Sequence, residues 1–385
     1  MTALCGARVL TPTGVIDGGW AQVEAGAITA VGRGTPPCSD TVDLGGAWLL
    51  PGYIDLHVHG GGGHDVTASR ADLEAAVAFH RAHGTTRTLV SLVTAPLDAL
   101  AEQLGWVADR VGMGPTPQGH VVGAHLEGPF LSQARCGAQN AEYLLAPDRA
   151  AFARLITAAR GCLRSVTIAP ELPGALDLVA DAVAAGTIAA IGHTDATYAD
   201  ARAAIDAGAR LATHLFNGMR PLHHREPGVI GAALEADLVC EVINDGIHVH
   251  PAIIALVART PQRLVLITDA IDAAGVGDGE FVLGGRQVRV RGREARLTST
   301  GSLAGSTLTM DAAVRRAVLD CGLPIEVASV GASANPARVL GLGDRCGAIV
   351  PGYDADFVVL DDDLRVLRVM AGGAWCGEDA AAAGV

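Results

Sequence analysis

The run Pro51-Gly-Tyr-Ile-Asp-Leu-His57-Val-His59 is apolar apart from Asp55 and its two histidines, and it ends in four glycines. Side chains along an extended strand repeat every two residues, so His57 and His59 face the same side. Two imidazoles converging from one strand make half a metal site. The glycines at 60–63 would let the backbone approach a ligand closely, since no Cβ intervenes. Four more strand-like stretches end in the same kind of residue: His125-Leu-Glu127-Gly-Pro129, Gly192-His193-Thr-Asp195, Thr213-His214-Leu-Phe-Asn217 and Thr268-Asp269-Ala270. Imidazole and carboxylate donors without clustered cysteine suit Zn²⁺, Fe²⁺ or Mn²⁺ rather than a sulfur site. Glu127 falls between the two histidine pairs in chain order and could bridge two cations roughly 3.5–4 Å apart. Such a centre acidifies water and polarises a carbonyl, which leaves Asp269 as the general base that takes a proton and returns it to a leaving nitrogen. This is hydrolysis of an amide or a related bond. His80, His83, His120, His223, His224 and His250 read as surface or structural residues. His125, two before Glu127, could reach the site or orient the glutamate from behind.

These residues need a frame that brings strand ends together. Strand patterns are expected at 53–59, 86–93, 120–126, 165–168, 187–191, 211–214, 239–243 and 264–268. Helical patterns fall between most of them, at 71–82, 149–160, 175–185, 199–207 and 251–258, and a last one follows at 309–320. Eight strands with crossover helices predict an α/β chain with a (β/α)₈ TIM-type barrel, whose chemistry sits at the C-terminal ends of the strands. A doubly wound open sheet is the rival, but no G-x-G-x-x-G turn follows the first strand. Residues 1–50 read as short strands joined by Gly and Pro turns, and the last forty residues look alike. We therefore expect a small β-sandwich domain formed by both chain ends (1–50 and 345–385) and a catalytic barrel over 51–344.

The bulk composition narrows the chemistry. The 385-residue chain carries a formal net charge of −13, which argues against nucleic acid or an anionic membrane as partner. All 28 basic residues are arginine. Without lysine there is no Schiff base, no P-loop lysine and no lysine-derived metal bridge, so any bridging ligand is Asp or Glu. The eight cysteines form no Cys-x-x-Cys pair, as expected of reduced thiols in a cytoplasmic protein. Neither a signal-peptide pattern at the start nor an apolar run of about 18 residues is present.

Pro51-Gly-x-Ile-Asp-x-His-x-His within a split β domain resembles the amidohydrolase superfamily. The runs His125-Leu-Glu-Gly-Pro-Phe-Leu131, Gly192-His-Thr-Asp-Ala-Thr197, Thr213-His-Leu-Phe-Asn-Gly-Met219, Arg225-Glu-Pro-Gly228, Asp245-Gly-Ile-His248 and Leu266-Ile-Thr-Asp-Ala270 resemble, within it, the N-acetylglucosamine-6-phosphate deacetylases. The resemblance implies removal of the N-acetyl group of a phosphorylated amino sugar. It makes Glu127, His193 and His214 the main metal ligands, with His57 and His59 completing a second position, and Asp269 the acid/base and a ligand. Asn217, Gly218 and Arg225 match phosphate contacts, and arginine suits that role because its fork binds two phosphate oxygens. His248, Leu303 and Gly305 match substrate-lining positions. In the loop after Glu127, where the family often has a histidine that polarises the carbonyl, Ala138 and Gln139 stand instead as substrate contacts, with Cys136 beside them. The implied cofactor is one or two divalent metals per chain, zinc first and iron, manganese, cobalt or cadmium after it, and the implied assembly is a homodimer. A cyclic-amide hydrolase of the dihydroorotase or hydantoinase kind is a lesser alternative, because those usually bridge their metals with a modified lysine. A metal-free scaffold on the same fold is the other, but such proteins typically lose ligands.

Overall fold

The computed structural model describes residues 1–116, 119–236 and 238–377. The final stretch of the expected small β domain, 378–385, lies outside the described residues. The N-terminal segment forms β1 (Thr2–Thr11), β2 (Gly14–Glu24), β3 (Ala27–Arg33), β4 (Thr41–Asp43) and β5 (Trp48–Pro51). The barrel strands begin with β6 (Tyr53–Asp55), followed by a two-residue-per-arm hairpin, β7 (Gly60–Gly61) and β8 (His64–Asp65). The barrel continues through β9 (Thr85–Val93), β10 (His120–Glu127), β11 (Leu163–Ile168), β12 (Ile188–Ile191), β13 (Leu211–Ala212), β14 (Val239–Ile243) and β15 (Leu264–Ile267). An antiparallel sheet of β16 (Gly279–Leu283), β17 (Arg286–Arg291) and β18 (Glu294–Leu297) is inserted after β15, and β19 (Phe357–Leu360), β20 (Val366–Ala371) and β21 (Ala374–Trp375) close the chain.

Strands β6 and β9 to β15 form one parallel sheet with neighbours in chain order. Every residue of β9 is buried, as a strand covered on both faces requires. The sheet closes into a barrel at its rim rather than along its length: Val58 bridges Ala270, the Asp269 N–H donates to the His57 carbonyl (2.8 Å), and the His59 N–H donates to that of Ala270 (2.8 Å). Below that seam the buried Asp55 carboxylate accepts from the Thr268 hydroxyl (2.5 Å) and from the His57 N–H (3.1 Å). Helices pack outside with ordinary start signals; Thr197, for example, opens the helix Tyr198–Asp206 with a capping box shared with Asp200.

Strands from both chain ends join one sheet in the order β21-β20-β19-β5-β1-β2-β3, with β4 beside β1. It encloses its own apolar cluster, including Leu4, Val9, Ile28, Leu49, Phe357 and Met370, and gives the β-sandwich expected of the two ends. Arg87 on β9 ties barrel to sandwich through Asp354 (2.5 Å) and Asp356 (2.9 Å). Two features depart from expectation. The inserted β16–β18 sheet and the helix Leu97–Gly112 are elements that the sequence patterns did not predict. The glycines after His59 serve packing rather than ligand approach: a Cβ on Gly60 would lie 2.6 Å from the Asp272 backbone nitrogen, and one on Gly61 would meet Phe79. No helix among the described residues is long and apolar enough to cross a membrane.

Candidate metal centre

Six side chains meet at the C-terminal rim of the barrel. His57 and His59 follow β6, Glu127 ends β10, His193 follows β12, His214 follows β13, and Asp269 follows β15. They fall into two groups, His57–His59–Asp269 and Glu127–His193–His214, each with ligand atoms within 4.8 Å of one another. Glu127 lies between them: Oε1 is 3.0 Å from Nε2 of both His193 and His214, and Oε2 is 3.2 Å from His59 Nε2. Asp269 Oδ1 is 3.2 Å from His59 Nε2 and 3.5 Å from His57 Nε2. All six are buried.

His193, His214 and Asp269 hold φ of 46°, 28° and 50°. Non-glycine residues avoid that region, at a cost of order 1–3 kcal/mol each, so three strained strand ends in one place mark a functional rim.

The hydrogen bonds behind the imidazoles decide what the centre can hold. His59 Nδ1 donates to the Ser91 carbonyl (3.1 Å), and His193 Nδ1 donates to that of Arg135 (3.0 Å). His57 Nδ1 faces the Glu241 carboxylate at 3.3 Å. With the Nδ1 atoms of these three rings so occupied, their Nε2 atoms turn toward each other, toward that of His214 and toward two carboxylates, while His214 Nδ1 is buried without a partner. His57 and His59 Nε2 are 3.0 Å apart, and those of His193 and His214 are 3.1 Å apart. Such a cluster of acceptors is stable only around protons or a cation, and four imidazoles with two carboxylates are the donors a divalent metal ion accepts. The donor set fits a divalent metal.

Electrostatics agree. Burial alone would lower the His59 pKa, but contacts with Asp269 and Glu127 raise it to about 9. Burial would raise the Asp269 carboxyl, and the His57 charge with the His59 contact instead brings it down to about 2. Burial likewise opposes ionisation of Glu127, yet His57, His193 and His214 hold it well below the usual carboxylate range.

The centre opens into a cavity of about 340 Å³. Ala138, Gln139, Asn217, Gly218, His248, Leu303 and Gly305, all expected near the substrate, line it. His248 Nδ1 is held by Asp245 Oδ2 at 2.7 Å. Asn217 donates to the carbonyls of His214 (3.3 Å) and Leu215 (3.4 Å). Gly218 has φ +60, and a Cβ there would stand 3.0 Å from His193 Nδ1, so glycine is required. Arg225 stands apart: it is exposed, its Nη1 lies 2.8 Å from His224 Nε2, and it does not line the cavity.

Several contributors were not singled out from sequence. Glu241, in the middle of the apolar strand β14, is 1 % exposed and accepts from the His214 N–H (3.2 Å) as well as facing His57. A lone charge inside an apolar strand was the available signal. Arg135, Leu283 and Ser302 complete the cavity wall. His125 makes no bond to Glu127; it lies beneath the centre, bonded to Ser91 Oγ (3.0 Å) and Thr167 Oγ1 (2.8 Å), with its ring against His57. The six histidines read as surface or structural lie outside the centre, as does His64, which pairs with Asp72: His80 is buried under the glycine hairpin, His83 faces Asp311, and His250 caps a helix.

The amidohydrolase family matches residues 48–376. The N-acetylgalactosamine-6-phosphate deacetylase of Escherichia coli is 39% identical over 369 residues, covering 95% of this chain and 97% of its own length. The N-acetylglucosamine-6-phosphate deacetylase of Bacillus subtilis is 38% identical over 378 residues, covering 95% and 94%. Among solved structures, an aspartate-to-alanine variant of the Mycobacterium smegmatis N-acetyl-D-glucosamine-6-phosphate deacetylase, in complex with N-acetyl-D-glucosamine-6-phosphate, superposes with a TM-score of 0.93 at 44% identity, over 97% of this chain and 99% of the other. The Thermotoga maritima N-acetylglucosamine-6-phosphate deacetylase gives 0.87 at 30% identity, over 98% and 100%. With its barrel, its rim of metal-fitting ligands and these likenesses spanning nearly its whole length, the chain belongs to the amidohydrolase family.

Proposed function

We propose that the protein is a metal-dependent deacetylase that hydrolyses N-acetylglucosamine 6-phosphate to glucosamine 6-phosphate and acetate. The observation that carries this is the pair of three-residue groups sharing Glu127 at the floor of one cavity, taken with the substrate named for the relatives. His57, His59, Glu127, His193, His214 and Asp269 would hold one or two divalent ions, with zinc the first choice for such donors. When bound, the metal supplies a Lewis acid that activates water and polarises the acetamide carbonyl. Asp269 is ionised at neutral pH and accepts the proton of the attacking water. It then gives that proton to the amine nitrogen as the carbon–nitrogen bond breaks, so the departing group leaves as glucosamine 6-phosphate. His248, oriented by Asp245, keeps Nε2 for a substrate oxygen. Asn217 and the Gly218 backbone serve the phosphate end, with Arg225 beyond the cavity as its outer cation, and Ala138, Leu303 and Gly305 form walls against the sugar. Eight free cysteines support a reducing, cytoplasmic setting, and the family resemblance supports a homodimer.

Acetate release from N-acetylglucosamine 6-phosphate, before and after chelator stripping and metal return, tests the reading. Loss on stripping and recovery on return is expected. Equal turnover of unphosphorylated N-acetylglucosamine would remove the phosphate from the recognition scheme. The E. coli relative makes the 4-epimer, N-acetylgalactosamine 6-phosphate, the necessary comparison substrate. Faster turnover of that sugar would transfer the assignment to it.

A further inference from the structure

Gln139 belongs to the cavity wall, yet both ends of its amide are already committed. Oε1 accepts the backbone N–H of Thr94, at the end of β9, at 2.8 Å. A backbone N–H can only donate, which fixes the amide's orientation and turns Nε2 toward Glu127. That Nε2 donates to Glu127 Oε2 at 2.6 Å, a short charge-assisted bond. The residue's own backbone is fixed as well: its N–H donates to the Cys136 carbonyl (2.9 Å), and its carbonyl accepts from Arg286 Nη1 (3.1 Å) on β17. Gln139 is 4 % exposed.

A joint of this kind is more than a substrate contact. Glu127 must present Oε1 to His193 and His214 and Oε2 to His59 at once, and rotation of its carboxylate about the terminal torsion would undo one of those pairings. Gln139 opposes that rotation from the Oε2 side. Its amide carries no titratable proton, so the restraint is the same at every working pH.

We propose that Gln139 is a positioning residue for the metal centre: with Thr94 behind it, it locks the Glu127 carboxylate so that both ligand groups share it, and thereby sets how tightly the His57–His59–Asp269 group holds its cation. This rests on the reading that both groups hold metal.

The test is a zinc titration of chelator-stripped protein against a chromophoric competitor, repeated with Co²⁺ to follow its visible absorption. Wild type, Gln139→Met, Gln139→Ala and His59→Ala are compared, together with Gln139→Met in the His59→Ala background. Wild type should take up two equivalents. Both Gln139 variants should keep the equivalent at Glu127–His193–His214 and bind the other about 10- to 100-fold more weakly, the usual effect of removing a ligand's hydrogen-bond partner. His59→Ala should abolish that second equivalent, and adding Gln139→Met should then change nothing further. Retention of the first equivalent reports that the variants fold; if methionine disturbs the loop, alanine gives the same readout. Uptake of one equivalent by wild type, equal weakening of both equivalents, or unchanged affinity in the variants overturns the proposal. No substrate is needed, so failure of the acetate assay would leave this result standing and the substrate assignment alone in question.

Discussion

Glu241 offers the sharpest test of how the centre is supported. Its Oε2 accepts from two buried donors, His57 Nδ1 at 3.3 Å and the His214 N–H at 3.2 Å. Glu241→Ala strips both of this acceptor inside the barrel. Each buried donor left unpaired costs about 1–3 kcal/mol, so the substitution should destabilise the metal-free protein by about 2–6 kcal/mol, with the residual cavity adding to that. Glu241→Gln behaves differently, because both bonds go to the same oxygen. An amide oxygen placed there can accept both, so the loss should stay near about 1 kcal/mol. The removed charge should appear elsewhere, as metal affinity about 10- to 100-fold weaker at the His57–His59–Asp269 group, since His57 loses an anionic partner behind its ring. Guanidinium unfolding of chelator-treated protein, followed by tryptophan fluorescence, separates the two effects. Equal stability of the alanine and glutamine variants within about 0.5 kcal/mol would refute the reasoning, because the geometry then would not depend on the shared acceptor.

Asp269→Asn should retain bound metal, because the remaining five donors persist, while turnover falls by about 10²- to 10⁴-fold; unchanged turnover with metal bound would remove Asp269 as general base. His80 predicts a specific acid sensitivity. Its Nε2 donates to the Gly60 carbonyl, its Nδ1 is buried without a partner, and burial lowers its pKa from 6.5 to about 4. Above about 6.5 neither state gains a proton. As pH falls from there toward about 4 only the unfolded chain does, so stability should drop by up to about 3 kcal/mol over that window and change no further on this account below it. His80→Gln should flatten the curve between pH 7.5 and 4.5, and denaturant midpoints with an unchanged slope would contradict this. Arg87→Met leaves Asp354 and Asp356 facing the barrel without their buried partner, and should destabilise by about 3–5 kcal/mol in thermal or denaturant unfolding.

The barrel was legible because most of its strands are strongly apolar and five of the eight stop at His, Glu or Asp. Val239–Ile243 needed no correction at either end, and Glu127, His193, His214 and Asp269 stand where strand patterns stop. The boundary that moved furthest did so at the site, while the starts of β9, β11 and β12 shifted by a residue or two. β6 ends at Asp55 and β13 at Ala212, short of the histidines expected within them. His57 and His59 continue along the seam rather than in the regular ladder, and His214 takes a left-handed φ that no strand supports. Residues that act through others left fainter traces. Gln139 reads as a substrate contact from its place in the loop, and only the approach of Thr94 and Glu127 from two strand ends gives it another task. The glycine run suggested ligand approach because its freedom was visible while its neighbour, the Asp272 backbone, was distant in sequence.

The rim seam has a consequence for how the molecule opens. His57 and His59 follow the first barrel strand and Asp269 follows the last, so the bonds that close the ring and one group of side chains able to hold a metal ion come from the same few residues. A cation there would clasp chain segments more than two hundred residues apart (the Thr268–Asp55 separation is 213), and closing so long a loop is what an unclasped barrel pays for in entropy. Amide hydrogen exchange should therefore register the metal at a distance from any substrate. The His59 and Asp269 amides, both spent across the seam, should exchange faster once metal is withdrawn, while amides in the middle of β10 and β11 keep their protection.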